Sequence, residues 1–316
     1  MFSELNNKIS GDLTNRLNAI NIFNRSVSYF DVIASTMAPF DPSLRRVQSN
    51  DVIIAREQKK GVGNTGNWIS YPRDIKTTIF YPSLDPKKYM MFSVLATSVV
   101  AELINNLLDK NVVGVKYRDD LLSIVEGKKV SGAIFVDNIN SYVAIRMKKV
   151  HKHFQLPEHG GIAFGIGINI KKRGEELRSR KDIGLEEAEH PYNSFAAGIE
   201  ELFELADRQF DEIDFFIKLV KELDKLYSFC NLFSEKFSAD IDKYFQLMNN
   251  NSYFNAGDNV KVGFVSKSEK DQEMKFAKYS REGIHLIDLK LDREKIYKFD
   301  EIIRILKPSA YYDPKL

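Results

Sequence analysis

The spacing of apolar positions changes several times along the chain, and each change predicts a different element. Leu5, Ile9, Leu13, Leu17 and Ile20 recur every three or four residues, which predicts an opening helix running to about Arg25. Short apolar runs of strand type follow at Asp51–Ala55, Lys76–Tyr81, Val112–Tyr117, Lys129–Val136, Tyr142–Met147 and Ile162–Ile170. Among them, Tyr89–Leu108 sets Phe92, Leu95, Val99, Leu103 and Leu107 on one stripe, the pattern of a buried helix. At Lys171 the period disappears. From there to Asn193, six basic and six acidic side chains predict a solvated, charged loop. Helical spacing returns over Ser194–Gln209 and Glu212–Met248, the second with Phe216, Leu219, Val220, Leu223, Leu226, Tyr227 and Leu232 as a core-packing stripe. After Asn249-Asn250-Asn251, short strands at Asn259–Val265, Glu273–Tyr279, Ile284–Leu291 and Ile302–Leu306 predict a small, separately folded β-barrel. Strands crossed by one long helix predict an α+β fold, a mixed sheet with helices on one face.

Composition narrows the picture. The 316 residues have room for two domains. Forty-six Lys and Arg stand against 44 Asp and Glu, a net charge of +2, too small for wholesale attraction to nucleic acid or an anionic membrane. The single cysteine, Cys230, can form neither an internal disulfide nor a thiolate metal cluster, so a reducing, cytoplasmic setting is expected. No apolar run approaches the roughly 20 residues of a membrane span, and Met1–Arg25 lacks a signal-peptide core. His151, His153 and His159 do not match zinc spacing, and no nucleophile stands in a visible triad context, so the histidines are expected to be ordinary ones.

Three segments carry candidate chemistry. In Gln58-Lys-Lys-Gly61-Val62-Gly63-Asn64-Thr65-Gly66-Asn-Trp68, three glycines after an apolar strand let backbone N–H groups converge on an anion, or simply close a hairpin. Neither standard nucleotide-binding glycine fingerprint is present. In Lys116-Tyr-Arg-Asp-Asp120 followed by Lys129-Val-Ser-Gly132, a cation and a carboxylate on adjacent strands suit one cleft. Lys129 would be a fixed charge for a developing anion, and Asp120 a Mg²⁺ ligand or proton acceptor. A hairpin with a basic turn fits the same residues. Third, Gly165-Ile-Gly167-Ile-Asn169 places two glycines and a polar side chain in a buried strand, where a ligand or another backbone would approach closely.

In this order, the segments resemble the biotin–protein ligase family, whose catalytic domain carries a Gln-x-x-Gly-Arg-Gly-Arg-x-Gly loop, a Lys-Trp-Pro-Asn-Asp strand, a Lys-x-x-Gly turn and a Gly-x-Gly-x-Asn strand. Upstream, Ser35-Thr36-Met37 resembles that family's Ser-Thr-Asn element. The tail, Gly257–Val262, Gly283–Leu286 and Phe299–Ile302, resembles its SH3-like C-terminal domain. The resemblance implies a catalytic domain over residues 1–250, including the charged loop 171–193 and helices 194–250, and an SH3-like domain over 251–316. It implies ATP and biotin as substrates with Mg²⁺, biotinyl-5′-AMP as intermediate, and the acceptor domain of a biotin-dependent carboxylase as partner. The expected assembly is a monomer or weak homodimer, with no nucleic acid or membrane as partner.

Carried over residue by residue, the resemblance makes Lys129 and Asp120 catalytic. It assigns Ser35, Thr36, Met37, Gln58, Gly61, Val62, Gly63, Asn64, Trp68, Lys129 and Gly132 to biotin, and Gly63, Asn64, Thr65, Gly66, Trp68, Lys116, Lys129 and Asn169 to ATP. Val62 and Asn64 stand where the family has two arginines, so those guanidinium contacts are missing and a leakier hold on the adenylate is expected. A lipoate–protein ligase shares the architecture, but its Arg-Arg-x-Ser-Gly-Gly-type loop is absent here. A non-catalytic ligand-binding relative is the remaining reading.

Overall fold

The computed structural model describes residues 2–20, 24–36, 51–62, 67–68, 74–82, 86–116, 120–123, 134–136, 161–168, 170, 198–232, 238–266, 270–299 and 301–306. They form two compact units: Met1–Tyr89 with Phe135–Leu232, and Met90–Ile134 with Phe233–Leu316.

The first unit is built on a four-stranded mixed sheet. Strand β1 (Ser26–Ile33) runs parallel to β2 (Asp51–Gln58). Next come β5 (Ile75–Pro82) and β9 (Gly161–Ile168), each antiparallel to its neighbour, in the order β1-β2-β5-β9. A short ribbon, β3 (Gly61–Val62) with β4 (Asn67–Trp68), leaves the end of β2. Helix α1 (Phe2–Ile20) packs on β1, and α3 (Ile199–Leu205) and α4 (Glu212–Leu232) follow β9. Asp211 starts α4 by accepting the Asp214 N–H at 2.9 Å, satisfying one of the orphan donors of the first turn. The expected stripe of α4 is buried from Phe216 to Tyr227.

The predicted first helix overruns the real one. It ends at Ile20, and Arg25 is a buried residue entering β1, with Asn18 bracketing its backbone at 2.7 and 3.1 Å. Arg25 donates to both oxygens of the buried Asp224 on α4 and, at 2.7 Å, to the Phe80 carbonyl. Its guanidinium also lies 4.7 Å from the centre of the Tyr81 ring, which stacks on Tyr227 at 4.4 Å. Burial, and then the Asp224 charge, push the Tyr81 phenol well above its ordinary range. Leu5, expected in the stripe of α1, is exposed, because burial begins only at Leu13 and Leu17.

In the second unit, α2 (Pro86–Leu108) continues from the first and leads to the hairpin β6 (Val113–Lys116) and β7 (Asp120–Ser123). The short β8 (Ile134–Val136) lies at the division between the units. The predicted helix Glu212–Met248 is two helices, α4 ending at Leu232 and α5 (Ser238–Asn250), with the unit division falling at 232/233. The C-terminal strands β10 (Asn259–Phe264), β11 (Gln272–Ser280), β12 (Gly283–Asp288), β13 (Arg293–Tyr297) and β14 (Ile302–Leu306) form an antiparallel sheet in the order β13-β12-β11-β10-β14. The predicted strand Ile284–Leu291 stops at Asp288, and the unforeseen β13 pairs back onto it. Residues 171–193 and the predicted strand Tyr142–Met147 lie outside the described residues.

The asparagine run that reads as a linker is a hydrogen-bonding hub. Asn249 binds both the carbonyl and the N–H of Tyr279 on β11, at 2.9 and 2.8 Å. Asn251 bonds Asn105 and Glu102 of α2, each at 2.8 Å, while its carbonyl accepts the Val115 N–H of β6 at 2.6 Å. The edge of β6, the strand that ends in Lys116, is thereby fixed by the segment that leads into the C-terminal sheet.

Candidate functional site

The Gln58 neighbourhood is the part of the expected site whose side-chain geometry is on view. Strand β2 ends at Gln58, and the chain leaving β1 turns at Ala34-Ser35-Thr36 beside it. Backbone N–H groups of Lys59 and Lys60 donate to the carbonyls of Ile33 and Ala34 at 3.0 and 2.7 Å, extending the parallel pairing past the strand ends. Gln58 Oε1 accepts the Thr36 N–H at 2.6 Å and the Thr36 hydroxyl at 3.1 Å. Ser35 and Thr36 are each only 3% exposed. The part-buried Gln58 amide and the buried Ser35 and Thr36 thus set polar groups at one end of the sheet, the equipment needed to hydrogen-bond a neutral planar group.

The glycine segment begins as the β3–β4 ribbon, with Gly61 opposite Trp68 and Val62 opposite Asn67. The chain therefore reverses between Val62 and Asn67, while Gly63, Asn64, Thr65 and Gly66 lie outside the described residues. So do Met37, Lys129, Gly132 and Asn169. In the second unit, β6 and β7 pair so that Lys116 and Asp120 are direct register partners, a cation position opposite a carboxylate position on the backbone ladder.

Lys76, which sequence reasoning did not single out, belongs to this part of the sheet. Tyr81 faces α4, so by strand alternation Thr77, Ile79 and Tyr81 share that face while Lys76, Thr78 and Phe80 point the other way. Gly167 and Gly165 of β9 are the register partners of Lys76 and Thr78. Lys76 and Thr78 are fully buried, and the Thr78 hydroxyl has no hydrogen-bond partner among the described residues. The paired glycines leave β9 without side chains beside a buried lysine and a buried hydroxyl. A lysine inside an apolar strand run reads as a register break, which is why its place was not legible. Among the described residues no three His, Cys, Asp or Glu side chains cluster so as to hold a metal ion.

The mixed sheet, flanking helices and C-terminal antiparallel sheet make up an α+β architecture. Residues 29–144 match the sequence profile of the Biotin/lipoate A/B protein ligase family. Among solved structures, the chain is similar to the biotin protein ligase of Aquifex aeolicus in complex with biotin and ATP, with TM-score 0.60 and 15% identity over 89% of this chain and 98% of that one. The apo form of that enzyme gives TM-score 0.56 at 14% identity, covering 90% and 99% of the two chains. A point mutant of the same enzyme, in complex with biotin, gives TM-score 0.56 at 15%, covering 89% and 95%. Likeness at such identities establishes the fold. No curated protein matches the chain by sequence. Among the described residues no helix is long and apolar enough to cross a membrane.

Proposed function

We propose that the chain is a biotin–protein ligase: it joins biotin to ATP as biotinyl-5′-AMP, then transfers the biotinyl group to a lysine of a biotin carboxyl carrier domain. The observation that carries this reading is the Gln58–Ser35–Thr36 corner, placed by the resemblance where a ureido ring would be held and followed directly by the glycine ribbon. In the first step the biotin carboxylate attacks the α-phosphate and pyrophosphate leaves. Lys129 offsets the charge that builds there, while Gly61 to Gly66 wrap the acid and the phosphate with backbone N–H groups. Lys116 and Asn169 serve the nucleotide, and Met37, Trp68 and Gly132 complete the biotin side. In the second step the acceptor amine attacks the mixed anhydride, an amide forms and AMP leaves, with Asp120 taking the amine proton. Mg²⁺ would enter with the phosphates of ATP and offset part of their charge. Both the C-terminal sheet as an SH3-like domain and a cytoplasmic location belong to this reading.

Lys129→Ala should abolish biotin-dependent ATP–pyrophosphate exchange while the far-ultraviolet circular dichroism stays that of the wild type. Exchange near the wild-type rate in that variant would remove Lys129 from the chemistry.

A further inference from the structure

In the C-terminal sheet, β11, β12 and β13 bring together three side chains that the proposed ligation does not use. Ser280 Oγ lies 2.8 Å from His285 Nε2, and His285 Nδ1 lies 2.5 Å from Glu294 Oε1. The hydrogen bond from His285 holds the Glu294 carboxyl below its ordinary range, so this carboxylate is ionised and can only accept. Nδ1 therefore carries a proton, and in the neutral imidazole Nε2 offers its lone pair. Ser280 must then donate its hydroxyl to Nε2, while its oxygen accepts the Glu282 N–H at 3.1 Å. This is the hydrogen-bond polarity of a nucleophile, its base and the group that orients the base.

The arrangement is fixed by the hairpin. Ser280 pairs with Gly283 across the turn, and Gly283, at φ +143°, could not carry a Cβ, which would collide with the Tyr297 carbonyl oxygen. His285 is 6% exposed, so its ring is pinned, whereas Ser280 is half-buried and Glu294 lies largely in solvent.

We propose that Ser280 is a nucleophile towards activated carboxylic esters, with His285 as its general base and Glu294 as a positioning residue. Ser280 Oγ bonds to the acyl carbon as its proton passes to His285 Nε2. The ester C–O bond breaks, and the alcohol leaves with that proton. Water then attacks the acyl-serine, giving its proton to His285; the acid departs and the proton returns to Ser280. The balance is ester plus water to acid plus alcohol. The site stands whether or not the chain ligates biotin.

The test treats the full chain with a fluorophosphonate probe and maps the adduct by peptide mass spectrometry. The expected result is one phosphonate on Ser280, absent in Ser280→Ala. Labelling should slow on the order of 10²-fold in His285→Gln. In the wild type the rate should fall in acid, and Glu294→Gln should lower the rate and displace that pH profile. No adduct on Ser280, or an unchanged rate in folded His285→Gln, overturns the proposal. If His285→Gln does not fold, Glu294→Gln, at an exposed position, decides: a wild-type rate and pH profile there is equally fatal.

Discussion

Gln58 holds the buried turn after β1 through a single oxygen that accepts both the N–H and the hydroxyl of Thr36. Replacing it by Leu strands a buried backbone donor, a loss of about 1–3 kcal/mol. If the corner binds the ureido ring, Gln58→Leu should raise the KM for biotin tenfold or more and change kcat much less, since ground state and transition state share the contact. Steady-state adenylation kinetics measure the split, and an unchanged KM would take Gln58 out of the pocket. Ser35, Thr36 and Gln58 were legible as a group only through the resemblance to the biotin–protein ligase motifs. Arg25 was not: its counter-charge, Asp224, lies 199 positions away, and a basic residue after a helical run looks like that helix's last turn. Breaking this pair from one side leaves a buried charge, so Asp224→Leu should cost about 3–5 kcal/mol, and adding Arg25→Met should recover part of it. Denaturant unfolding of the two variants checks this, and a fully additive double mutant would contradict the coupling.

Among the elements, the strands read closely include β9 and β14 at sheet edges, while two more exposed edge strands, β1 and β13, were missed. Residues 75–81 are buried throughout, whereas β1 is mostly half-buried and β13 is largely exposed. A strand exposed to that degree buries too little surface to imprint a clear period. The β12–β13 hairpin also has an electrostatic signature. Lys295, with the N–H groups of Lys290 and Leu291, holds Asp288 below its ordinary range, and His285 does the same for Glu294. A carboxyl whose folded-state pKa is depressed stabilises the fold above its ordinary value, and that contribution disappears as pH falls through the lowered one. Amide exchange in this hairpin should therefore accelerate below about pH 4, and the acid limb should flatten in Asp288→Asn/Glu294→Gln. Identical acid limbs in variant and wild type would show that these contacts are screened away.

At the scale of the whole molecule, the order of the motifs carried the resemblance, while the grouping of the chain into compact units lay beyond local pattern. Residues 90–134 are grouped with 233–316, a pairing made partly by Asn105 and Asn251 across 146 positions. Three successive asparagines look like punctuation until the partners of two of them are seen. The fold match to the Aquifex aeolicus protein covers 89% of this chain at 15% identity, so the backbone arrangement persists where side-chain identity has not. The central claim, that the acid handled by this fold is biotin, is tested most directly by ATP–pyrophosphate exchange on the full chain with biotin and lipoate supplied separately. Biotin should drive exchange and lipoate should leave it near background. Exchange driven by lipoate, or by neither acid, would contradict the account.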